Sequence, residues 1–225
     1  MEESAFIEED SISIPESRQF IDYAILRQFI NTAHGTISRL TENDYREVAA
    51  GLDVEVAAIK AVVDIETGRC HEGFCAPHRP IIDFDTNVFR RFCTREKINL
   101  NLHKEHCSVI FGRGTGQDAE HLRLDTACRI DSTTAIESTF WGMFQIGGFN
   151  WKLCGATDLN DFVRKMQDSE RSQLELFARF ITNTGLVKHL RTKDWRAFAY
   201  RYNGPKYAAR AYHTRLARAY RLHSK

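Results

Sequence analysis

The chain has 225 residues, a formal net charge of +1 and 27% charged residues, which sets aside both a disordered polyelectrolyte and a small disulfide scaffold. No apolar run approaches the roughly 20 residues that span a bilayer, and the acidic start (Glu2, Glu3, Glu8, Glu9, Asp10) is the opposite of a basic signal-peptide leader. The expected route is synthesis in the cytoplasm without a Sec address. A target in the cell wall would then be reached by release or non-classical export.

Residues 1–38 read as an acidic extension with one amphipathic helix between Pro15 and Gly35, its stripe made by Ile21, Ile25, Phe29 and Ile30. This extension is a candidate docking segment for a delivery or immunity partner. The rest, 39–225, reads as one mainly α domain with a short irregular or β segment. "TENDYREVAAGL" opens with Thr41 and an acid three residues on, a capping box, and Gly51 is expected to end that helix. "DVEVAAIKAVVDIETG" begins a second helix that Gly68 stops.

The stretch from about 70 to 120 is less regular, and "PIIDFDTNVFRR" is its candidate for extended structure or a short helix. Helical pattern resumes through "DAEHLRLDTACRIDSTTAIESTFWGMF" and again through "LNDFVRKMQDSERSQLELFARFITNTG", with Phe162, Met166, Leu174, Phe177 and Phe180 on the apolar face. "KDWRAFAYRYNGP" and "YAARAYHTRLARAYRL" complete the helices. From Lys188 onward eleven Lys and Arg residues face the single acid Asp194. This is either a solvated helix face or an attraction to a polyanion.

Four places carry chemistry. Glu66 lies three, four and seven residues after Val63, Val62 and Ile59, so it shares their helix face, whereas Asp64 points elsewhere. It also sits in the last turn, at the negative end of the helix dipole. Partial burial and that dipole favour the protonated form, as a general acid requires. The plain alternative is a carboxylate that caps the loop or pairs with Arg69. Asp83 and Asp85 are two residues apart, on one face of an extended segment, where either could handle a water opposite Glu66. "ESTFWGMFQIGGFNW" sets amides, Gln145 and Asn150, among aromatics and glycines, and the glycines would let a ligand approach the backbone. "FAYRYNGPKY" places Tyr202 and Asn203 before a turn.

Cys70, His71, Cys75 and His78 have residue types that suit zinc, but their spacing is not a paired knuckle and no second pair follows. The expectation is no metal and no cofactor. Cys70 and Cys75 read as a local bridge or as buried thiols.

Together and in this order, "LTENDYREVAAGLDVEVAAIKAVVDIETG", "GF" at 73–74, "RPIIDFDTNVFRR", "STFWGMFQIGGFNW" and "DWRAFAYRYNGPKYAARAYHTRLARAY" resemble the N-acetylmuramidase family of phage endolysins, over about four-fifths of the chain. The resemblance implies a lysozyme-like helical fold. It also implies hydrolysis of the β-1,4 bond between N-acetylmuramic acid and N-acetylglucosamine, with peptidoglycan glycan strands as the partner. It makes Glu66 the acid and places Ser138, Phe144, Gln145, Tyr202 and Asn203 along the substrate groove. Where the family usually has Glu, this chain has Asp85; Thr86 and Asn87 replace Arg and His, and Phe140 replaces Ser. The second carboxylate therefore stays open between Asp85 and Asp83. Rival readings are a lytic transglycosylase on the same fold and a non-catalytic glycan-binding module. A nucleic-acid partner is not expected.

Overall fold

The computed structural model describes residues 36–68 and 72–225. The helix expected between Pro15 and Gly35 lies outside the described residues. Within them the chain is mainly α, with ten α-helices and five short strands. In chain order these are α1 (Glu42–Leu52), α2 (Val56–Thr67), β1 (Phe74–Ala76), β2 (Arg79–Pro80), β3 (Ile82–Phe84), α3 (Thr86–Arg95), α4 (Lys104–Ile110) and α5 (Gln117–Glu137). They continue with β4 (Thr139–Trp141), β5 (Ile146–Gly147), α6 (Leu159–Asp168), α7 (Glu170–Asn183), α8 (Val187–Arg191), α9 (Trp195–Asn203) and α10 (Tyr212–His223).

The capping box forms as expected: the Thr41 hydroxyl accepts from the Asp44 amide, and the Asp44 carboxylate accepts from the Thr41 amide at 2.7 Å. Gly51 does not end α1. The helix runs one residue further and closes on Asp53, which takes a left-handed φ of 54°. Arg191 supplies what this end needs, donating to the Leu52 and Asp53 carbonyls from 2.7 to 3.1 Å. Gly68 terminates α2 as expected, at φ 63°.

Helix α2 is the centre of the core, with Ala57, Ala58, Ile59, Ala61, Val62 and Val63 all buried. The C-terminal helix α10 lies along it. The Tyr220 hydroxyl donates to Glu55 and His223 sits 2.9 Å from Asp64, while Lys193 also pairs with Glu55. Part of the basic C-terminal region is thus committed to the acids of α2, and Arg215, Arg218 and Arg221 remain exposed.

"PIIDFDTNVFRR" becomes both of the forms considered: β3, then α3. Asp85 makes the change by accepting the Asn87 and Val88 amides at 2.8 and 3.0 Å as the helix N-cap. Strands β3, β4 and β5 form an antiparallel sheet in that order, with Asp83 opposite Phe140 and Phe84 opposite Thr139. The other edge of β3 is held by side chains of α5. The Gln117 amide brackets the backbone of Ile82, donating to its carbonyl at 2.9 Å and accepting from its amide at 2.8 Å, and Glu120 accepts the Phe84 amide at 3.1 Å. An otherwise open strand edge is thereby satisfied.

Two helical runs read from the sequence are corrected. The run through "STFWGMF" stops at Glu137, because Thr139–Trp141 is drawn into the sheet. Its helix is also broken at Asp131 (φ −160°, ψ 112°), whose carboxylate caps the second part by accepting the Thr134 amide at 2.8 Å. The run "LNDFVRKMQDSERSQLELFARF" is two helices. Ser169 leaves helical space (φ −160°, ψ 162°) and its hydroxyl caps α7 by accepting the Ser172 amide.

Candidate active site

Glu66 lies at the C-terminal end of α2, half-buried, just past the buried Ile59, Val62 and Val63. Its face is the one the helical spacing predicts, and Asp64 is turned away toward His223. Asn203, the last residue of α9, donates its side-chain amide to the Glu66 carboxylate at 3.0 Å. Asn203 is only 5% exposed, and its side-chain carbonyl oxygen is buried with no hydrogen-bond partner. The polar tip of Asn203 is therefore turned on the acid. Arg69, the alternative partner of Glu66, lies outside the described residues.

Two tyrosine hydroxyls share this surrounding. Burial, and after it the Glu66 charge, pushes the Tyr202 hydroxyl well above its ordinary range and raises that of Tyr212. Both stay protonated donors. Tyr202 uses its hydroxyl on the Phe144 carbonyl at 2.6 Å, tying α9 to the segment that carries Gln145.

On β3, Ile82 and Phe84 are buried and Asp83 faces the other way, half-buried. Burial first, then the nearby Glu120 and Asp85 charges, raise the Asp83 carboxyl to about 6. Asp85 has one carboxylate oxygen committed to the α3 cap.

The "GMFQ" segment is a tight turn. Gln145 takes a left-handed φ of 46°, and its side-chain amide donates to the Gly142 carbonyl at 2.9 Å. The other three residues placed along the groove have no surface to offer a sugar. Phe144 is buried and stacks on Phe177 with ring centroids 4.2 Å apart. Tyr202 is buried between Phe198 and other rings. Ser138 is buried, bonding the Thr134 carbonyl at 2.7 Å.

The expectation that the glycines admit a ligand to the backbone is also corrected. A Cβ on Gly142 would meet the Gln173 side chain at 2.7 Å, one on Gly147 the Phe149 ring at 2.5 Å, and one on Gly148 the Ile136 carbonyl at 2.1 Å. The space is already taken by the protein.

The Cys/His loop holds no bridge within the described residues. Cys75 is a free thiol bonded to the Arg79 carbonyl at 3.3 Å, and burial raises its pKa above the ordinary thiol value. His78 contacts the Gln167 carbonyl at 3.1 Å. Cys70 and His71 lie outside the described residues. Among the described residues no group of three or more His, Cys, Asp or Glu could hold a metal ion.

Sequence reading missed Glu170 and Gln173. They stand three apart on α7, on the same buried face as Leu174 and Phe177, and are themselves buried. Acid and amide groups at core positions of an amphipathic helix were the available signal.

A helical domain with a short sheet, and a half-buried carboxyl at the end of its central helix, defines a lysozyme-like class of protein. The family model for N-acetylmuramidase matches residues 55–224, and the chain belongs to that family. It is similar to the crystal structure of a Burkholderia AP3 phage endolysin: 33% identity, TM-score 0.71, 88% of this chain and 76% of the other covered. Comparison with curated proteins returns no match. Among the described residues no helix is long and apolar enough to cross a membrane.

Proposed function

We propose that this protein is a muramidase that hydrolyses the β-1,4 bond between N-acetylmuramic acid and N-acetylglucosamine in peptidoglycan, acting on the cell wall as a phage endolysin does. The observation that carries the reading is Glu66: a half-buried carboxyl closing an apolar helix, held by Asn203 at 3.0 Å, in a chain of the N-acetylmuramidase family. In this mechanism Glu66, protonated, gives its proton to the glycosidic oxygen as the bond to the departing sugar breaks. A second carboxylate then accepts a proton from the attacking water. Asp83 fits that role better than Asp85. Its carboxyl, raised to about 6, is a base strong enough to take a proton near neutral pH, whereas Asp85 already caps α3. Supporting a shared site, the Tyr202 hydroxyl on the Phe144 carbonyl ties the turn that carries Gln145 to the helix end that carries Asn203.

The test is loss of turbidity of purified cell walls, with mass spectrometry of the fragments. Wild type should clear the walls and leave products carrying one added water. Glu66→Gln should lose at least about a hundredfold of the rate, the lower range for removing a general acid. Equal rates for the two proteins would remove Glu66 from the mechanism. Anhydro products would replace hydrolysis by transglycosylation.

A further inference from the structure

Three segments carry the proposed chemistry: the chain leaving Glu66, the strand bearing Asp83, and the turn bearing Gln145. They meet at one place, on the buried face of α7. The Gln173 amide oxygen accepts the Met143 amide at 2.8 Å, within the Gly142–Gln145 turn. Its nitrogen donates to the Met166 carbonyl at 2.8 Å and the Gly73 carbonyl at 3.3 Å. Gly73 lies seven residues after Glu66, and its amide is held by Glu170 at 2.9 Å. The Gly73 carbonyl also accepts from the Ile81 amide at 2.9 Å, and the Ile81 carbonyl accepts from the Gly142 amide at 2.8 Å. Ile81 is two residues before Asp83.

This is a closed circuit: Gln173 to Met143, Gly142 to Ile81, Ile81 to Gly73, and Gly73 back to Gln173. Glu170 braces it from below. Its second oxygen accepts the Leu40 amide at 2.8 Å, its backbone amide bonds the Ser38 carbonyl, and Arg39 stands 3.7 Å away. Gln173 is 0% exposed and Glu170 2%, so neither offers a polar atom to substrate. The circuit admits no side chain at its glycines, since a Cβ on Gly73 or Gly142 would stand 2.4 or 2.7 Å from Gln173. A core helix spends an acid and an amide, where Leu or Phe would pack, on backbone groups, among them Gly73 and Met143 of the site segments. That is an expensive choice unless the relative placement of those segments matters.

We propose that Gln173 and Glu170 are positioning residues: through this circuit they set where the Gln145 turn and the Asp83 strand stand relative to the chain leaving the acid Glu66. The inference rests on the muramidase reading for its catalytic consequence, but the circuit itself can be tested without it.

The experiment uses the full chain with Gln173→Met and, as a milder change, Glu170→Gln. Amide hydrogen exchange is measured at Gly73, Ile81, Gly142 and Met143, with Val62 and Val63 in α2 as references. Hydrolysis of soluble peptidoglycan oligomers is measured in parallel, as kcat and KM per folded molecule. Gln173→Met should raise exchange at all four amides together, by about tenfold or more, including those of Ile81 and Gly142, to which Gln173 makes no hydrogen bond, with α2 unchanged. It should lower kcat by about a hundredfold, the cost of a misplacement near 1 Å, with KM within about threefold. Glu170→Gln should move the same quantities in the same direction by less, and it carries the test if Gln173→Met does not fold. Faster exchange at Met143 alone, or at α2 equally, overturns the circuit. Normal kcat in a variant with all four amides loosened overturns the positioning role. If the wild type hydrolyses no glycan, the muramidase reading falls, while the exchange result still decides the circuit.

Discussion

Replacing Asp83 by Asn should make the protein more stable at neutral pH and less active, and the pH dependence of the first effect is set by the structure. Burial and the neighbouring Glu120 and Asp85 charges raise the Asp83 carboxyl from 3.8 to about 6. Between those two values the folded protein holds a proton on Asp83 that the unfolded chain has released. Folding stability therefore falls as pH rises through that window, and the loss is complete above about pH 6. A rise of this size corresponds to about 3 kcal/mol, reduced to about 2 because Asp83 is only half-buried. Asn cannot ionise. The variant should match wild type below pH 4, apart from a constant offset for the changed hydrogen bonding, and gain steadily above it. For a domain of this size the gain at pH 7 is roughly 4–8 °C in Tm. The assay is thermal unfolding of both proteins from pH 4 to 7.5, with cell-wall clearing at each pH. A Tm difference that does not vary with pH refutes the electrostatic argument. Undiminished clearing by the more stable variant removes Asp83 as the base and returns that role to Asp85.

Asn203→Asp would put a second carboxyl against Glu66. Two like charges about 3–4 Å apart repel by roughly 4 kcal/mol at a surface-like dielectric. The pair should therefore keep a shared proton to higher pH, moving the alkaline limb of the clearing profile upward by at least about one unit; an unmoved limb in a folded variant would separate Asn203 from the acid. Gly142→Ala and Gly185→Ala impose the same left-handed φ, 69° and 68°, but only the first drives a Cβ into Gln173, the second having nothing within 4 Å. Urea unfolding should give a loss of about 1 kcal/mol for Gly185→Ala and about 3 or more for Gly142→Ala; equal losses would mean that Gln173 yields freely. Removing residues 1–40 rather than 1–35 should cost about 1–3 kcal/mol more, because Glu170 then loses its bonds to Ser38 and Leu40; identical melting of the two proteins would deny these contacts any role.

The helices and the position of Glu66 at the end of α2 were legible because their signals are local. A three–four spacing of apolar residues placed Glu66 on the right face, and one Thr–Asp pair placed the start of α1. What escaped depends on contacts distant in sequence. Thr139–Trp141 has as good a helical pattern as what precedes it and becomes a strand only because β3 is there to pair with it. The family resemblance placed Phe144 and Tyr202 along the groove, but a motif reads alike whether a protein ring or a sugar faces the aromatic. Only the fold shows Phe177 there. Asp85 was ambiguous for another reason, since a carboxylate opening a helix and a carboxylate facing a substrate have the same local sequence. Gln173 and Glu170 went unseen because partners such as Met143 and Leu40 lie 30 and 130 residues away.

The interruption of α5 at Asp131 settles a matter of distance. Phe84 is reached from both ends of that helix: Glu120 bonds its amide, and Thr139, just past the helix, pairs with it in the sheet. Nineteen residues of straight helix would carry the chain about 28 Å away, too far for both ends to touch one residue. The break at Asp131 turns the run into an outward leg and a return leg, so that the chain comes home to the strand it left. A substitution that straightened the bend would be felt first at Phe84, and so at Asp83 and Asp85 on either side of it.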